Sequence, residues 1–209
     1  MCWTKILTWR KKRHIRGQLR ALPARSVVLA QDETDLLLFP PLRAGWARRG
    51  EAAEVRLSGW NARQVVFGTL NLNTGHRLFL ARSRQKASDF QAFLDVVHHH
   101  YRAWQVALLV DEDPSHTAKS SVRRATDWNM TLIWLPKRAP KLNPMDTLWG
   151  QAKDAVSANK QYDSLDEQVE RFLAYLSAWS NRAALTAAGV CAPDFWLKDV
   201  LSKNFCAPA

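Results

Sequence analysis

Val106-Ala107-Leu108-Leu109-Val110-Asp111 is an unbroken apolar run that ends on a carboxylate. A strand with one face in water alternates apolar and polar residues, and this run does not alternate. It suits a short central strand covered on both faces. A similar run, Ser26-Val27-Val28-Leu29-Ala30, leads into Asp32, and a third, Thr131 to Leu135, is stopped by Pro136. Gln64 to Leu72 and His76 to Ala81 are also strand-like, and Asn73-Thr74-Gly75 between them is a turn signal, so the pair predicts a hairpin.

Helical patterns fill the gaps. Ser88 to Arg102 places Phe90, Phe93, Leu94, Val97 and Tyr101 at helical spacing, with Ser88 and Gln91 as a capping box. Ala118 to Trp128 predicts a helix with Val122 and Ala125 inward. Asn143-Pro144 reads as an N-cap followed by a first helical residue, and the helix should run to about Asn159. Ser164 and Glu167 form a second capping box before a stripe of Leu165, Val169, Phe172, Leu173 and Leu176. The order strand, hairpin, helix, strand, helix, strand, helix, helix predicts an α/β fold: a mixed five-stranded sheet with helices on both faces. Pro40-Pro41 and the glycine- and arginine-containing stretch Arg43 to Gly59 predict a long loop, with a short strand around Val55. Residues 1–25 read as a basic arm or linker, 26–182 as the domain, and 183–209 as a partly helical, peripheral tail.

With 209 residues, 47% of them hydrophobic and ten of them Trp, the chain can bury one sizeable, aromatic core. No apolar run approaches the ~20 residues that cross a bilayer, and the N-terminus lacks the apolar stretch of a secretory signal. Cys2, Cys191 and Cys206 are odd in number and lack metal-ligand spacing, so they read as reduced thiols. A cytoplasmic protein is expected. Thirty Lys and Arg against nineteen Asp and Glu give +11. The excess is strong in Lys5, Arg10, Lys11, Lys12, Arg13, Arg16, Arg20 and Arg25, before the first acidic residue, Asp32. Such a segment attracts phosphate backbones by counterion release. A solvated basic face or a membrane-surface helix has the same composition.

Asp32 and Asp111 follow two apolar strands, and Asp146 is the third residue of the helix begun by Asn143-Pro144. If the two strands are neighbours, the first two acids lie side by side and the helix start presents the third. Hard oxygen donors suit Mg2+ or Mn2+, and two such ions ~3.5–4 Å apart promote phosphodiester chemistry. Taken one at a time, each acid is more often a turn residue, a cap or a favourable charge at a helix N-terminus than a metal ligand.

The flanking residues distinguish these readings. Leu109-Val110-Asp111-Glu112-Asp113-Pro114-Ser115-His116 and Leu135 to Asp146, which contains Leu142-Asn143-Pro144-Met145-Asp146, resemble the second and third catalytic motifs of the mariner-like superfamily of DDE/D transposases, bacterial insertion-sequence branch. Gln31-Asp32-Glu33-Thr34 is similar to the first motif, and Val66-Phe67-Gly68 to Thr74-Gly75 to the family's hairpin. Between Asp111 and Asp146 lie 34 residues (146 − 111 − 1), an interval similar to the family's.

The resemblance implies an RNase H-like fold and metal-dependent DNA cleavage and strand transfer, with two Mg2+ or Mn2+ ions held by Asp32, Asp111 and Asp146. It gives His116 an accessory place; Glu33 and Glu112, beside the first two aspartates, are further accessory candidates. For His116 a helix-start cap or a surface position reads as well. Lys137, Arg138 and Lys141 in the loop before Asn143, Lys153 on the following helix, and Lys11, Lys12, Arg13 and Arg16 in the arm are expected to contact DNA; for the loop lysines, simple solvation is the competing reading. Trp149 reads as core. His98-His99-His100 point in different directions on a helix and do not make a metal site. The sequence departs from the family at three places: Asp146 stands where the bacterial branch usually has Glu, Glu112 stands where Asn is common, and the loop before Asn143 is unusually basic.

The implied partners are double-stranded DNA, a second copy of the chain in the DNA complex, and a separate helix-turn-helix polypeptide, since the chain begins too close to Asp32 to hold such domains. A catalytic half of a split or truncated element, associated with the bacterial nucleoid, is therefore expected. A non-catalytic nucleic-acid-binding remnant and another RNase H-like nuclease are the competing readings.

Overall fold

The computed structural model describes residues 3–46, 48–51, 54–55, 57, 59–137 and 139–204. Its strands are β1 (Ser26–Leu37), β2 (Arg63–Asn71), β3 (Arg77–Arg82), β4 (Gln105–Val110) and β5 (Met130–Trp134), in the order β3-β2-β1-β4-β5. β1–β2 and β2–β3 pair antiparallel, while β1–β4 and β4–β5 pair parallel, which makes the expected mixed sheet. The hairpin turn forms where Asn73-Thr74-Gly75 predicts it. Asn71 Oδ1 accepts from the N–H of Asn73 and Thr74 at 3.0 and 3.1 Å, and Gly75 takes φ 79°, which a side chain would resist.

The helices are α1 (Trp3–Arg20), α2 (Ala87–Tyr101), α3 (Pro114–Thr117), α4 (Lys119–Asp127), α5 (Pro144–Ala152), α6 (Leu165–Ala178), α7 (Asn181–Ala187) and α8 (Lys198–Asn204). Strand alternation divides the core in two. One face of the sheet, with Val27, Leu29, Phe67, Leu108 and Val110, packs on Phe90, Phe93, Leu94 and Val97 of α2 and on Ala125 of α4. The other, with Val28, Ala30, Val66, Ala107, Leu109 and Ile133, packs on Met145, Leu148 and Trp149 of α5, Phe172 and Leu176 of α6, and Ile15 and Leu19 of α1.

Several local expectations are corrected. Asp32 does not follow β1 but lies within it, because the β2 ladder carries the strand on to Leu37 opposite Arg63. α2 is not capped by Ser88 and Gln91. It begins at Ala87 with Lys86 as the extended N-cap; Asp89 Oδ2 accepts from the Lys86 N–H at 3.2 Å, and Gln91 instead donates to Ser120 Oγ at 3.0 Å. In α4, Val122 is 39% exposed and Ser121 is fully buried, bonding to the carbonyl of Ser115. Ser164 caps α6 at the Glu167 N–H, 3.1 Å, but the Glu167 carboxylate pairs with Arg171. Val55 lies in irregular chain; no strand forms among the described residues of 38–62.

The ends of the chain are more deeply built in than an arm and a peripheral tail would be. Ile15 and Leu19 of α1, together with Leu197 and Val200, are essentially fully buried in one cluster with the sheet. Arg16 Nε donates to the Trp196 carbonyl at 2.7 Å, tying α1 to the segment before α8. Cys191 is a free, exposed thiol; Cys2 and Cys206 lie outside the described residues. Among the described residues no helix is long and apolar enough to cross a membrane.

Candidate active site

β1 and β4 run parallel with Ala30 opposite Leu109. Asp32 lies two residues beyond Ala30 in β1, and Asp111 directly follows the end of β4, so the two acids come from neighbouring strands. Asp146 arrives from the first turn of α5. Asn143 fixes the helix start twice: its Oδ1 accepts from the Met145 N–H at 3.2 Å, and its Nδ2 donates to the Gln31 carbonyl at 2.8 Å. The second bond ties the helix to the residue before Asp32. Gly68 stands opposite Asp32 on β2. A Cβ there would come within 2.5 Å of Trp149 Cη2 and 2.9 Å of Met145 Cε. The bare glycine therefore lets α5 settle against the sheet at the height of the carboxylates.

Asp32, Asp111 and Asp146 line one cavity of 650 Å³, together with Glu33, Glu112, Asp113, Lys137 and Asn143. A second hollow on the other side of Asp32 and Asp146 is lined by Asp35, Gln85, Trp149 and Lys153.

His116 is more central than a cap or a surface residue. It is 1% exposed and its two ring nitrogens reach two acids: Nδ1 lies 2.8 Å from Asp111 Oδ1, and Nε2 lies 2.7 Å from Glu33 Oε1. Burial alone would lower its pKa, but the bonds to Asp111 and Glu33 overcome burial and raise it to about 10. His116 is therefore an imidazolium at neutral pH, donating through both nitrogens. Its hydrogen bond in turn holds Asp111 below the usual carboxylate range. Glu33 takes a further bond from Gln31 Nε2 at 2.8 Å. The Asp113 carboxylate caps α3 through the Ser115 N–H at 2.8 Å.

Asp32 has no such partner. Burial, then the neighbouring charges of Glu33, Asp111 and Asp146, push its pKa up to about 8, against one backbone bond that lowers it. Lys153 feels the same cluster from the opposite sign: burial lowers its pKa, and Asp35, Asp32 and Asp146 work to raise it. Among the described residues, no three His, Cys, Asp or Glu side chains stand close enough, as oriented, to hold a metal ion. The donor chemistry nonetheless fits a hard cation, because three carboxylates from three elements face one cavity and their mutual repulsion is what a bound cation relieves.

The expected DNA contacts fall into groups. Lys11 and Lys137 both pair with Glu112 at the cavity mouth. Lys141 is exposed in the 3-10 turn Pro140–Leu142 beside the cavity. Lys12 lies over the Trp196 ring and Arg13 over Trp9. Arg16 is engaged with the Trp196 carbonyl rather than projecting freely. Arg138 lies outside the described residues. The three histidines of α2 diverge as expected: His98 stacks on Trp128 and His100 on His76.

A family model described as DDE superfamily endonuclease matches residues 27–168. The chain is 26% identical over 144 residues to the insertion element IS630 uncharacterized 39 kDa protein of Shigella sonnei, covering 66% of this chain and 41% of that one. It thus spans about two fifths of the length of that relative. Among solved structures, it resembles the Mos1 transposase paired-end complex with left transposon end, with a TM-score of 0.65, 17% identity, and coverage of 93% of this chain and 61% of that one. It also resembles the Mos1 transposase catalytic domain solved with raltegravir and Mg, with a TM-score of 0.59, 16% identity, and coverage of 96% and 97%. The fold is the RNase H-like one expected.

Proposed function

The chain belongs to the DDE superfamily endonuclease family, and from that premise we propose that it is a transposase of the insertion-element and mariner type, which cuts and joins DNA strands with Asp32, Asp111 and Asp146 as the carboxylates that hold two Mg2+ or Mn2+ ions. The observation that carries this reading is that these three acids, from a strand, a strand end and a helix start, line a single cavity. The reaction is hydrolysis of a phosphodiester at an element end, followed by attack of the freed 3′-hydroxyl on target DNA. A divalent cation held by the three carboxylates supplies Lewis-acid polarisation and neutralises charge on the phosphoryl oxygens.

The protein's own groups do the rest. His116 fixes the orientation of Asp111 and neutralises Glu33, so that neither carboxylate turns away from its place. Lys153 is set beside Asp32 and Asp146, where it meets a phosphate of the strand being cut. Lys137 and Lys141 flank the cavity mouth, and α1 extends the basic surface beside it. Double-stranded DNA is the proposed partner, bound by two copies of the chain.

A second reading, a DNA-binding relative without catalysis, draws on the absence among the described residues of three side chains already oriented as a metal site. A Mn2+ titration followed by thermal unfolding separates the two. Binding at a hundred times Kd stabilises the folded state by about 2.7 kcal/mol, so the wild-type melting temperature should rise by several degrees and Asp32→Asn or Asp146→Asn should abolish the rise. An equal rise in wild type and both variants would remove the assignment.

A further inference from the structure

Glu112 stands beside Asp111 at the mouth of the cavity and makes two ion pairs. One carboxylate oxygen lies 3.6 Å from Lys11 Nζ and the other 3.2 Å from Lys137 Nζ. The two lysines come from α1 and from the loop after β5, a long way apart in the chain. Their side chains are 49% and 72% exposed and that of Glu112 is 27% exposed, so the ammonium groups reach over a carboxylate that sits further in.

Two cations from separate elements converging on one anion is the arrangement that receives a phosphate, with one oxygen for each donor. Here an internal carboxylate takes the anion's place. Exposed ion pairs are held weakly, because water and salt screen them and two long side chains must stay ordered. A phosphodiester brought to the cavity by the rest of a DNA duplex therefore competes on favourable terms. Glu112 is also a poor ligand for the cavity while each of its oxygens faces a lysine.

We propose that Lys11 and Lys137 form a single phosphate subsite at the rim of the catalytic cavity, and that Glu112 is its internal competitor. In the free protein Glu112 gathers the two lysines; in the complex a DNA phosphate displaces it and leaves its charge beside Asp111. The competitor lowers affinity and keeps α1 and the loop in register until DNA arrives. This rests on the DNA-binding reading above.

The test is fluorescence anisotropy with a short labelled duplex in the presence of EDTA, so that metal plays no part. Glu112→Gln should bind on the order of threefold to tenfold tighter than wild type. The gain should vanish when Glu112→Gln is placed on a Lys11→Ala, Lys137→Ala background, where no lysines remain to be released. Glu170→Gln, an exposed change on α6, reports the effect of net charge alone and should shift affinity less. Equal or weaker binding by Glu112→Gln, or the same gain with and without the lysines, overturns the subsite. Binding of the duplex by none of the proteins, wild type included, overturns the DNA-binding reading itself.

Discussion

Asp32 and Glu33 are neighbours in sequence with opposite roles, because a strand turns successive side chains to opposite faces. Asp32 faces the α5 side, where Asp146 lines the same cavity; Glu33 faces the α2 side and meets His116, whose ring lies against Phe90. The two acids are therefore treated differently by the fold, and pH reads the difference. The pKa of His116 is raised from 6.5 to about 10, so its contribution to stability is full below pH 6.5 and is lost as pH rises to about 10. That of Asp32 is raised from 3.8 to about 8. The folded state then holds its proton more tightly than the unfolded state, and stability falls as pH climbs from 3.8 to 8. Both effects have the same sign between 6.5 and 8. Urea denaturation of the metal-free protein should show stability declining across that window. Asp32→Asn should be more stable than wild type at pH 8, by about 1–3 kcal/mol. A less stable Asp32→Asn would contradict the account of strain among these acids.

At the scale of elements, the site depends on where α5 begins. Its start was legible in Asn143-Pro144, since a cap is a local feature that needs only neighbouring residues. So was the end of β4, marked by an apolar run that stops at an acid, whereas the neighbourhood of β1 and β4 stood in the sequence only as a condition and is supplied by the sheet. What the sequence did not disclose is tertiary: Gly68 leaving room for Trp149, the Asn143 amide reaching Gln31, and His116 bridging two acids across the sheet. Each depends on two segments that meet only in the folded chain. The capping box misread at Ser88 failed for a related reason, because Asp89 one residue on offers the Lys86 N–H a carboxylate instead. Asn143→Ala removes the cap and leaves the Gln31 carbonyl without its donor, so it should cost about 2–3 kcal/mol. The loss should appear in the denaturation midpoint with an unchanged slope. A cost under about 0.5 kcal/mol would mean that α5 is placed by packing alone.

For the molecule as a whole, the mixed sheet and its helices on both faces followed from the order of patterned segments. The placement of the two chain ends did not, because a run of basic residues hides the apolar pair Ile15 and Leu19 that faces inward one turn apart. Both are essentially fully buried with the sheet and with Leu197 and Val200. Leu19→Ala should therefore destabilise the entire fold by about 2–5 kcal/mol, as a core leucine does, in one cooperative transition followed by circular dichroism. A change below about 1 kcal/mol, or a separate early transition, would mean that α1 is an appended arm. The same burial anchors Lys11 at the cavity mouth, so the basic helix and the acidic centre form parts of one surface. The central claim is that Asp32, Asp111 and Asp146 act together on DNA, and the measurement that tests it most directly is nicking of supercoiled plasmid with Mg2+ or Mn2+. Wild type should nick only when the cation is added, and Asp111→Asn should lose that activity by at least about a hundredfold. Nicking that survives Asp111→Asn at the wild-type rate would contradict the claim.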